Sequence, residues 1–257
     1  MEDYPIKVGS ALFTLVEPRP GHEVAYNRWY ERDHFYAGCM IGPGNFAGRR
    51  WVSTRRHKAL RVAPPGNPVT GDAADAGSYL ALYWVLDGMH DEWNRWGVDQ
   101  VNHLHATGRM FAERDHIHTV LYRTEWETGP EDGVSLALAL DHPFAGLVAT
   151  LVEGDDADAL ATWHRDTALA SAGVGVCAGF SPLPLLADAP GDVPRAESGD
   201  NRRLVLWFLD RDPAEGWAET FGSHGDALAS SGAGRLLWAA PFIPTVPGTD
   251  TYTDQLW

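Results

Sequence analysis

The sequence predicts an α+β protein built from two copies of a βαββαβ unit. Two segments recur in the same order in both halves of the 257-residue chain. The run Thr14-Leu15-Val16-Glu17 reappears at residues 150–153, and the strand-like run at 81–86 reappears at 204–209, each followed by an aspartate. Short apolar runs typical of strands also alternate with longer amphipathic stretches typical of helices. Repeated parts that keep their order while their spacing drifts through the loops indicate a diverged duplication.

The first unit is predicted over residues 1–127. A strand over Lys7–Val16 precedes a helix that begins near His22, because Pro18, Pro20 and Gly21 cannot lie in a helix interior. The elements that follow are a strand at 46–53, a loop rich in proline and glycine at 54–77, an aromatic-rich strand at 79–86, a helix at about 90–112 and a strand at 116–126.

The second unit is predicted over residues 134–247, after a polar linker, and residues 248–257 form a C-terminal tail. Its apolar run Val134–Leu140 has no counterpart in the first unit. The remaining elements are a strand at 146–152, a helix at 155–171, a strand marked by Ala178-Gly179, a strand at 204–209, a helix at 213–231 and a strand at 236–243.

Each predicted unit has the ferredoxin-like order of elements, in which both helices lie on one face of an antiparallel sheet. The other face of such a sheet must be covered by a partner. Two units in one chain can cover each other, so we expect the two sheets to pack together as an α+β barrel.

Composition excludes several classes of function. A net charge of −15 argues against nucleic acid as a partner. No apolar stretch is long enough to span a membrane, and the N-terminus lacks the features of a signal peptide, so we expect a cytoplasmic protein with no membrane partner. The two cysteines, Cys39 and Cys177, do not make a disulfide framework and are predicted to be buried packing residues.

The predicted helix at residues 22–36 carries the main candidates for catalysis. Trp29, Tyr30, Glu31 and His34 place an aromatic ring, a phenol, a carboxylate and an imidazole within two turns. We expect His34 to act as a general acid or base and Tyr30 to polarise a substrate carbonyl. Glu31 could orient the imidazole from three residues away. The alternative is that Glu31 and His34 form a surface pair while Tyr30 packs.

His116 and His118 are the second group of catalytic candidates. Eight of the eleven histidines lie in the first unit, which makes that unit the predicted site of any chemistry. Residues two apart on a strand share a face, so His116 and His118 could form a proton relay, or the face they share could be exposed to solvent. Together with Glu31 and His34 they could also bind a metal, although the chain carries no zinc signature and we assign no metal ligand.

Further residues are predicted to bind a small-molecule substrate. Six of the 20 basic residues lie between positions 49 and 61, where they could attract an anionic substrate or protect a solvated edge strand. The eleven tryptophans could pack in the core or form a pocket for a flat ligand. The candidates for substrate binding are Asn27, Trp29, Arg49, Trp84, Trp96 and His103.

The chain resembles the dimeric α+β barrel superfamily in its fused, tandem form, and this resemblance covers nearly its whole length. The helix ending in Trp29-Tyr30-Glu31-Arg32-Asp33-His34 looks like the signature of EthD-like proteins. The resemblance implies a pocket between the sheet and its two helices. It also implies dehydratase, cyclase or isomerase chemistry on a carbonyl-rich or aromatic intermediate of polyketide type, with no cofactor.

The same resemblance leaves other functions open. Some members of the superfamily are cofactor-free monooxygenases, and some tandem members are haem-dependent dehydratases or peroxidases. No C-x-x-C-H haem attachment motif is present, but an axial histidine alone leaves no sequence signal. A non-catalytic carrier of apolar ligands is the alternative from a different class. Exposed sheet edges would also permit a homodimer.

Overall fold

The computed structural model describes residues 6–171, 173–189, 191 and 201–257. Within them, eight antiparallel strands form one closed barrel in the order β1-β3-β2-β8-β5-β7-β6-β4. The strands are β1 Val8–Pro18, β2 Asn45–Val52, β3 Tyr79–Leu86, β4 Arg114–Thr128, β5 Gly146–Glu153, β6 Val174–Leu183, β7 Arg202–Leu209 and β8 Arg235–Pro244.

The barrel consists of two four-stranded sheets joined along their edges. β4-β1-β3-β2 in the first half and β8-β5-β7-β6 in the second have the same internal order, with the outer strands contributed by the second and fourth strand of each half. The sheets therefore continue into each other, whereas the sequence suggested two sheets packed face to face. One seam, between β4 and β6, runs from Leu121↔Leu183 to Thr128↔Cys177. The other, between β2 and β8, has only the pairs Trp51↔Pro244 and Val52↔Ile243.

Helices cover the outside of both halves. They are α1 Glu23–Trp29, which continues as a π-helix over Tyr30–Met40, α2 Arg55–Lys58, α3 His90–Ala106, α4 Ala157–Ala170 and α5 His224–Ser231. A 3₁₀ turn, Leu136–Leu138, packs instead against the core inside the barrel. None of the helices in the described residues is long and apolar enough to cross a membrane.

Two helices are shorter than the sequence predicted. α3 ends at Ala106 because Gly108 adopts a left-handed φ of 69° and closes the turn. The predicted helix at 213–231 is helical only from His224, and turns occupy residues 213–223, where Gly216 has a φ of 74°. Trp217 is still buried there, so apolar packing survives without helical backbone.

The barrel interior is filled by large apolar side chains from alternate positions of every strand. Among them, Trp51, Trp84, Phe208, Trp238 and Phe242 are each fully buried. The apolar run at 134–140 belongs to this core, since Leu136, Ala139 and Leu140 pack against it. Two further clusters lie outside the barrel, one under the helices of each half.

Candidate functional site

The π-helix brings three pocket residues onto one face. In an α-helix of 3.6 residues per turn, Cys39 would lie half a turn away from Tyr30, nine positions earlier. The wider turn, seen in the bond from the Ile41 amide to the Tyr36 carbonyl, returns Cys39 to the face of Tyr30 and His34. Gly38 makes room for the imidazole, because a Cβ there would lie 2.7 Å from His34 Cε1. Helices with π turns occur frequently at functional sites.

These residues close a small cavity between the outer face of the first sheet and its helices, which we call the inner chamber. Its volume is about 90 Å³. β1 contributes alternate side chains to its floor, because every second residue of a strand points to the same face. The chamber is lined by Leu12, Thr14, Val16, Tyr30, His34, Cys39, Val101, Met110, Arg114, His116 and Thr119.

A larger cavity of about 580 Å³, the outer groove, adjoins the inner chamber and opens to solvent. Met110, Arg114 and His116 line both cavities. The groove is otherwise lined by Arg19, His105, Gly108, Phe111, Ala112 and Asp115. A ligand lying in the groove could therefore extend one end into the chamber.

His34 is held as a neutral imidazole. Its ring stacks on Trp29 with a centroid distance of 4.5 Å and an interplanar angle of 17°, and it meets Tyr30 edge-on at 5.3 Å. Burial and, to a smaller extent, the nearby positive charge of Arg114 lower the pKa of His34 from 6.5 to about 3. Its Nδ1 atom is buried and has no hydrogen-bond partner in the described part of the chain.

A hydrogen-bonded row of side chains lies opposite His34. Arg114 Nη2 donates to His116 Nε2 at 3.0 Å, so the proton of this imidazole lies on Nδ1, which faces Thr119 Oγ1 at 3.3 Å. Thr119 in turn bonds to Thr14 Oγ1 at 2.9 Å. The Arg114 guanidinium also lies over the Trp29 ring, 5.4 Å from its centroid. The site thus combines one positive charge with several hydroxyl and imidazole groups.

Tyr30 is a permanently protonated phenol. Its hydroxyl bonds to that of Tyr83 at 2.9 Å, and burial raises the pKa of both groups well above 10. The Cys39 thiol lies beside Tyr83, and burial raises its pKa to about 12. Neither the phenols nor the thiol carries charge near neutral pH. Both cysteines are free and buried, as predicted, although Cys39 also lines the chamber.

His116 and His118 point to opposite faces of β4, so the prediction that they share a face is wrong. The pairing with β1 shifts between Leu15↔His118 and Val16↔His116, which leaves Ile117 as the extra residue of a β-bulge. His116 remains at the chamber. His118 enters the barrel interior, where it lies 3.3 Å from the Tyr122 hydroxyl and burial lowers its pKa to about 4.

Glu31 and Asn27 serve a structural network rather than the imidazole. Both accept hydrogen bonds from Arg50 Nη1, at 3.1 Å and 2.8 Å. Glu31 also accepts from the Gly248 amide at 2.9 Å, and Asn27 donates to the Thr249 carbonyl at 2.9 Å. The pair holds the C-terminal tail against α1, so the predicted orientation of His34 by Glu31 is not found.

The other predicted substrate-binding residues lie away from the chamber. Trp84 is in the barrel core, where its indole donates to the Leu136 carbonyl at 3.0 Å. Arg49 donates to the His142 carbonyl and contacts the Trp51 ring, so it anchors a loop. Trp96 packs against Gly42, and His103 is exposed on α3. Only Trp29 of this set touches the site, by stacking on His34.

The geometry does not assemble the metal site that the spacing of Glu31, His34, His116 and His118 suggested. Across the described residues, no three or more His, Cys, Asp or Glu side chains are grouped so as to hold a metal ion. The inner chamber also does not fit a haem, because its volume of about 90 Å³ is well below the roughly 300–1,000 Å³ of pockets for drug-sized ligands.

Sequence reasoning missed Arg114, Thr14 and Thr119. The available signal was the alternation of β1, which places Thr14 on the same face as Leu12 and Val16. The bulge at Ile117 decides which face of β4 carries Thr119 relative to His116, and the alternation of polar and apolar residues in the sequence does not reveal this bulge.

Comparison with known proteins supports the fold. No protein-family model matches the chain, and no curated protein matches it. Among solved structures, a candidate monooxygenase from Fusobacterium nucleatum subsp. nucleatum is 8% identical with a TM-score of 0.51, over 93% of each chain. An anthrone oxidase-like protein is 8% identical with a TM-score of 0.53, over 95% of each chain. At this identity the likeness shows a shared fold and no more.

Proposed function

We propose that this protein is a cofactor-free oxygenase that oxidises a flat, acidic aromatic substrate of the anthrone type. The observation that carries the proposal is a neutral imidazole and a guanidinium beside a small, largely apolar chamber that opens into a wider groove. The two structural neighbours, a candidate monooxygenase and an anthrone oxidase-like protein, suggest the same chemistry.

The two cavities suit the two reactants. A tricyclic substrate matches the outer groove of about 580 Å³, with its reactive edge directed past Arg114 and His116. The inner chamber of about 90 Å³ has room for dioxygen, and Leu12, Val16 and Val101 give it an apolar lining. Apolar cavities in proteins stay dry and accept small apolar molecules, which suits oxygen.

Proton abstraction would begin the reaction. His34 is neutral, so it can accept a proton from the acidic C–H or phenol of the substrate. A pKa of about 3 makes it a weak base in the empty site. The anion that forms reverses part of this effect, because an adjacent negative charge favours the imidazolium. Arg114 supplies a second positive charge for the same anion.

The remaining steps need only dioxygen. The carbanion transfers one electron to O₂, and the carbon radical and superoxide combine to form a C–O bond. The peroxide takes up the proton held at the site and loses water as the second C–H proton leaves. The balance is R₂CH₂ + O₂ → R₂C=O + H₂O, in which carbon is oxidised by four electrons and O₂ is reduced by four. The Tyr30 hydroxyl, which remains protonated, can donate a hydrogen bond to the developing oxyanion.

The low pKa of His34 speaks against dehydration, the reaction that the EthD-like resemblance implied. A dehydratase needs a general acid that protonates the departing hydroxyl, and His34 holds no proton near neutral pH. Cyclisation or isomerisation through the same anion would need only the base. We retain an EthD-like relationship as a proposal that rests on the run from Trp29 to His34.

Oxygen consumption with anthrone tests the proposal. We expect protein-dependent uptake of one O₂ per quinone formed, above the rate of spontaneous autoxidation, with one ¹⁸O atom from ¹⁸O₂ in the product. His34→Gln and Arg114→Gln should each lower the rate at least tenfold, since each removes a group that faces the anion. His103→Gln, which replaces an exposed imidazole on α3, should retain the full rate.

Other results would point to the other functions. Anaerobic conversion of a substrate would indicate a cyclase or isomerase. Saturable quenching of tryptophan fluorescence by anthrone, with no oxygen uptake and the ligand recovered unchanged, would indicate a carrier. A Soret band in protein purified without chelator would indicate a haem protein. Each of these outcomes would overturn the oxygenase assignment.

A further inference from the structure

The second half of the barrel contains a pair of buried histidines on its two outer helices. His164 on α4 and His224 at the start of α5 are 0% and 4% exposed, and their ring centroids are 5.6 Å apart. The Nε2 atoms of both rings are buried and have no hydrogen-bond partner within the described residues. Buried polar atoms are nearly always paired, so two orphaned nitrogens in adjacent rings call for an explanation.

The hydrogen bonding of His164 prepares its ring as a ligand. Its Nδ1 lies 2.7 Å from the Leu160 carbonyl oxygen, and this bond requires the proton on Nδ1. The lone pair is therefore on Nε2, the orphaned atom. A backbone carbonyl that fixes the Nδ1–H tautomer is the usual second partner of a metal-bound histidine.

Aromatic rings surround the pair. His224 meets Trp163 at 4.9 Å and Trp207 at 5.3 Å between centroids, and His164 meets the same two rings at 4.9 Å and 5.8 Å. Indole faces attract cations when water is excluded. Within the described residues, no further His, Cys, Asp or Glu side chain joins the pair as a metal-binding group, which disfavours a divalent ion that would need further anionic ligands.

We propose that His164 and His224 form a two-coordinate site for a monovalent soft metal ion, Cu(I), enclosed by tryptophan rings. A metal bonded to both nitrogens at about 2.0 Å holds two imidazole centroids no more than roughly 6 Å apart, and the observed 5.6 Å meets this limit. Imidazole is a good copper ligand, and a set of only two nitrogens suits the low coordination numbers of Cu(I). No proton needs to leave His164, because its Nε2 already carries the lone pair.

Anaerobic titration with Cu(I) in competition with bicinchoninate tests the site. We expect the protein to remove one Cu(I) per chain from the chelator, with quenching of tryptophan fluorescence from the adjacent rings. His164→Gln and His224→Gln should each weaken binding at least a hundredfold, whereas the exposed control His103→Gln should bind like the wild type. Failure of the wild type to compete, or binding that survives both substitutions, would overturn the proposal.

If a variant of a buried histidine does not fold, X-ray absorption of the copper-loaded wild-type protein can identify the atoms bound to copper instead. Two nitrogen neighbours with no sulfur would support the pair. A sulfur neighbour would instead implicate Cys177, which is buried in the same apolar cluster, and would overturn the two-imidazole site. Because these residues lie outside the chamber and groove, the result is independent of the oxygenase proposal.

Discussion

Mild acid should destabilise this fold strongly, because four histidines are held as neutral rings. Burial lowers the pKa values of four imidazoles from 6.5, to about 3 for His34 and His224 and to about 4 for His118 and His164. In the unfolded chain the same rings titrate near 6.5. The unfolded state therefore binds more protons below that pH, so stability is complete above pH 6.5 and falls as the pH drops towards the folded pKa values.

The loss of stability in acid can be calculated from the difference between the histidine pKa values in the folded and unfolded chain. At pH 5 the unfolded rings are protonated and the folded rings are still neutral, so each histidine removes about 2 kcal/mol of stability. Four such rings together remove about 8 kcal/mol, which is comparable with the roughly 5–15 kcal/mol that stabilises a typical domain. Carboxylates with lowered pKa values, such as Asp212, which accepts a hydrogen bond from the Ala214 amide, contribute to acid unfolding only at lower pH.

Urea unfolding at pH 7.5 and pH 5.0, followed by tryptophan fluorescence and far-UV circular dichroism, measures this difference. We expect the midpoint to fall sharply while the dependence on urea concentration stays the same. His118→Gln should flatten the pH dependence by about one quarter, whereas His103→Gln should leave it unchanged because that ring is exposed. A stability at pH 5.0 within about 1 kcal/mol of the value at pH 7.5 would refute the reasoning.

Two substitutions separate placement of the catalytic ring from stability of the fold. Gly38→Ala places a Cβ 2.7 Å from His34 Cε1 without requiring a left-handed backbone. Oxygen uptake should therefore drop at least tenfold while the melting temperature hardly changes. A wild-type rate of oxygen uptake would show that the His34 ring does not need this space. Glu31→Gln removes the charge that faces buried Arg50 and should cost roughly 3 kcal/mol in urea unfolding. The pH profile of turnover should not move in this variant, and a shifted profile would restore Glu31 as a partner of His34.

Much of the architecture could be predicted from the sequence because it depends on local patterns. The repeated Thr-Leu-Val-Glu run marked the first strand of each half, and every predicted strand is present. The helical pattern also located Tyr30 and His34, which line the chamber. These predictions needed only periodicity and turn residues, which act over a few positions.

The parts that could not be predicted depend on one-residue shifts of the backbone. The bulge at Ile117 separates His116 from His118, and the π-helix carries Cys39 to the face of Tyr30. The bulge and the π-helix each add backbone to a regular element, so the side chains that follow point in a different direction. Packing against neighbouring strands decides where the extra backbone lies, and this leaves no regular signal in the sequence. The position of Arg114 in the site follows from these shifts and was missed with them.

The two seams of the barrel differ in how many residue pairs hold them, so we expect the barrel to open first at the weaker seam. Seven residue pairs join β4 to β6, whereas two join β2 to β8. Val62 reinforces the weak seam by exchanging two backbone hydrogen bonds with Ala239, at 3.0 and 2.8 Å. The barrel is therefore closed by one short seam, between β2 and β8, and one long seam, between β4 and β6. If the short seam opens, β2 and β8 each expose an unpaired edge while both four-stranded sheets remain intact. Opening of this seam would therefore allow the chain to aggregate edge to edge.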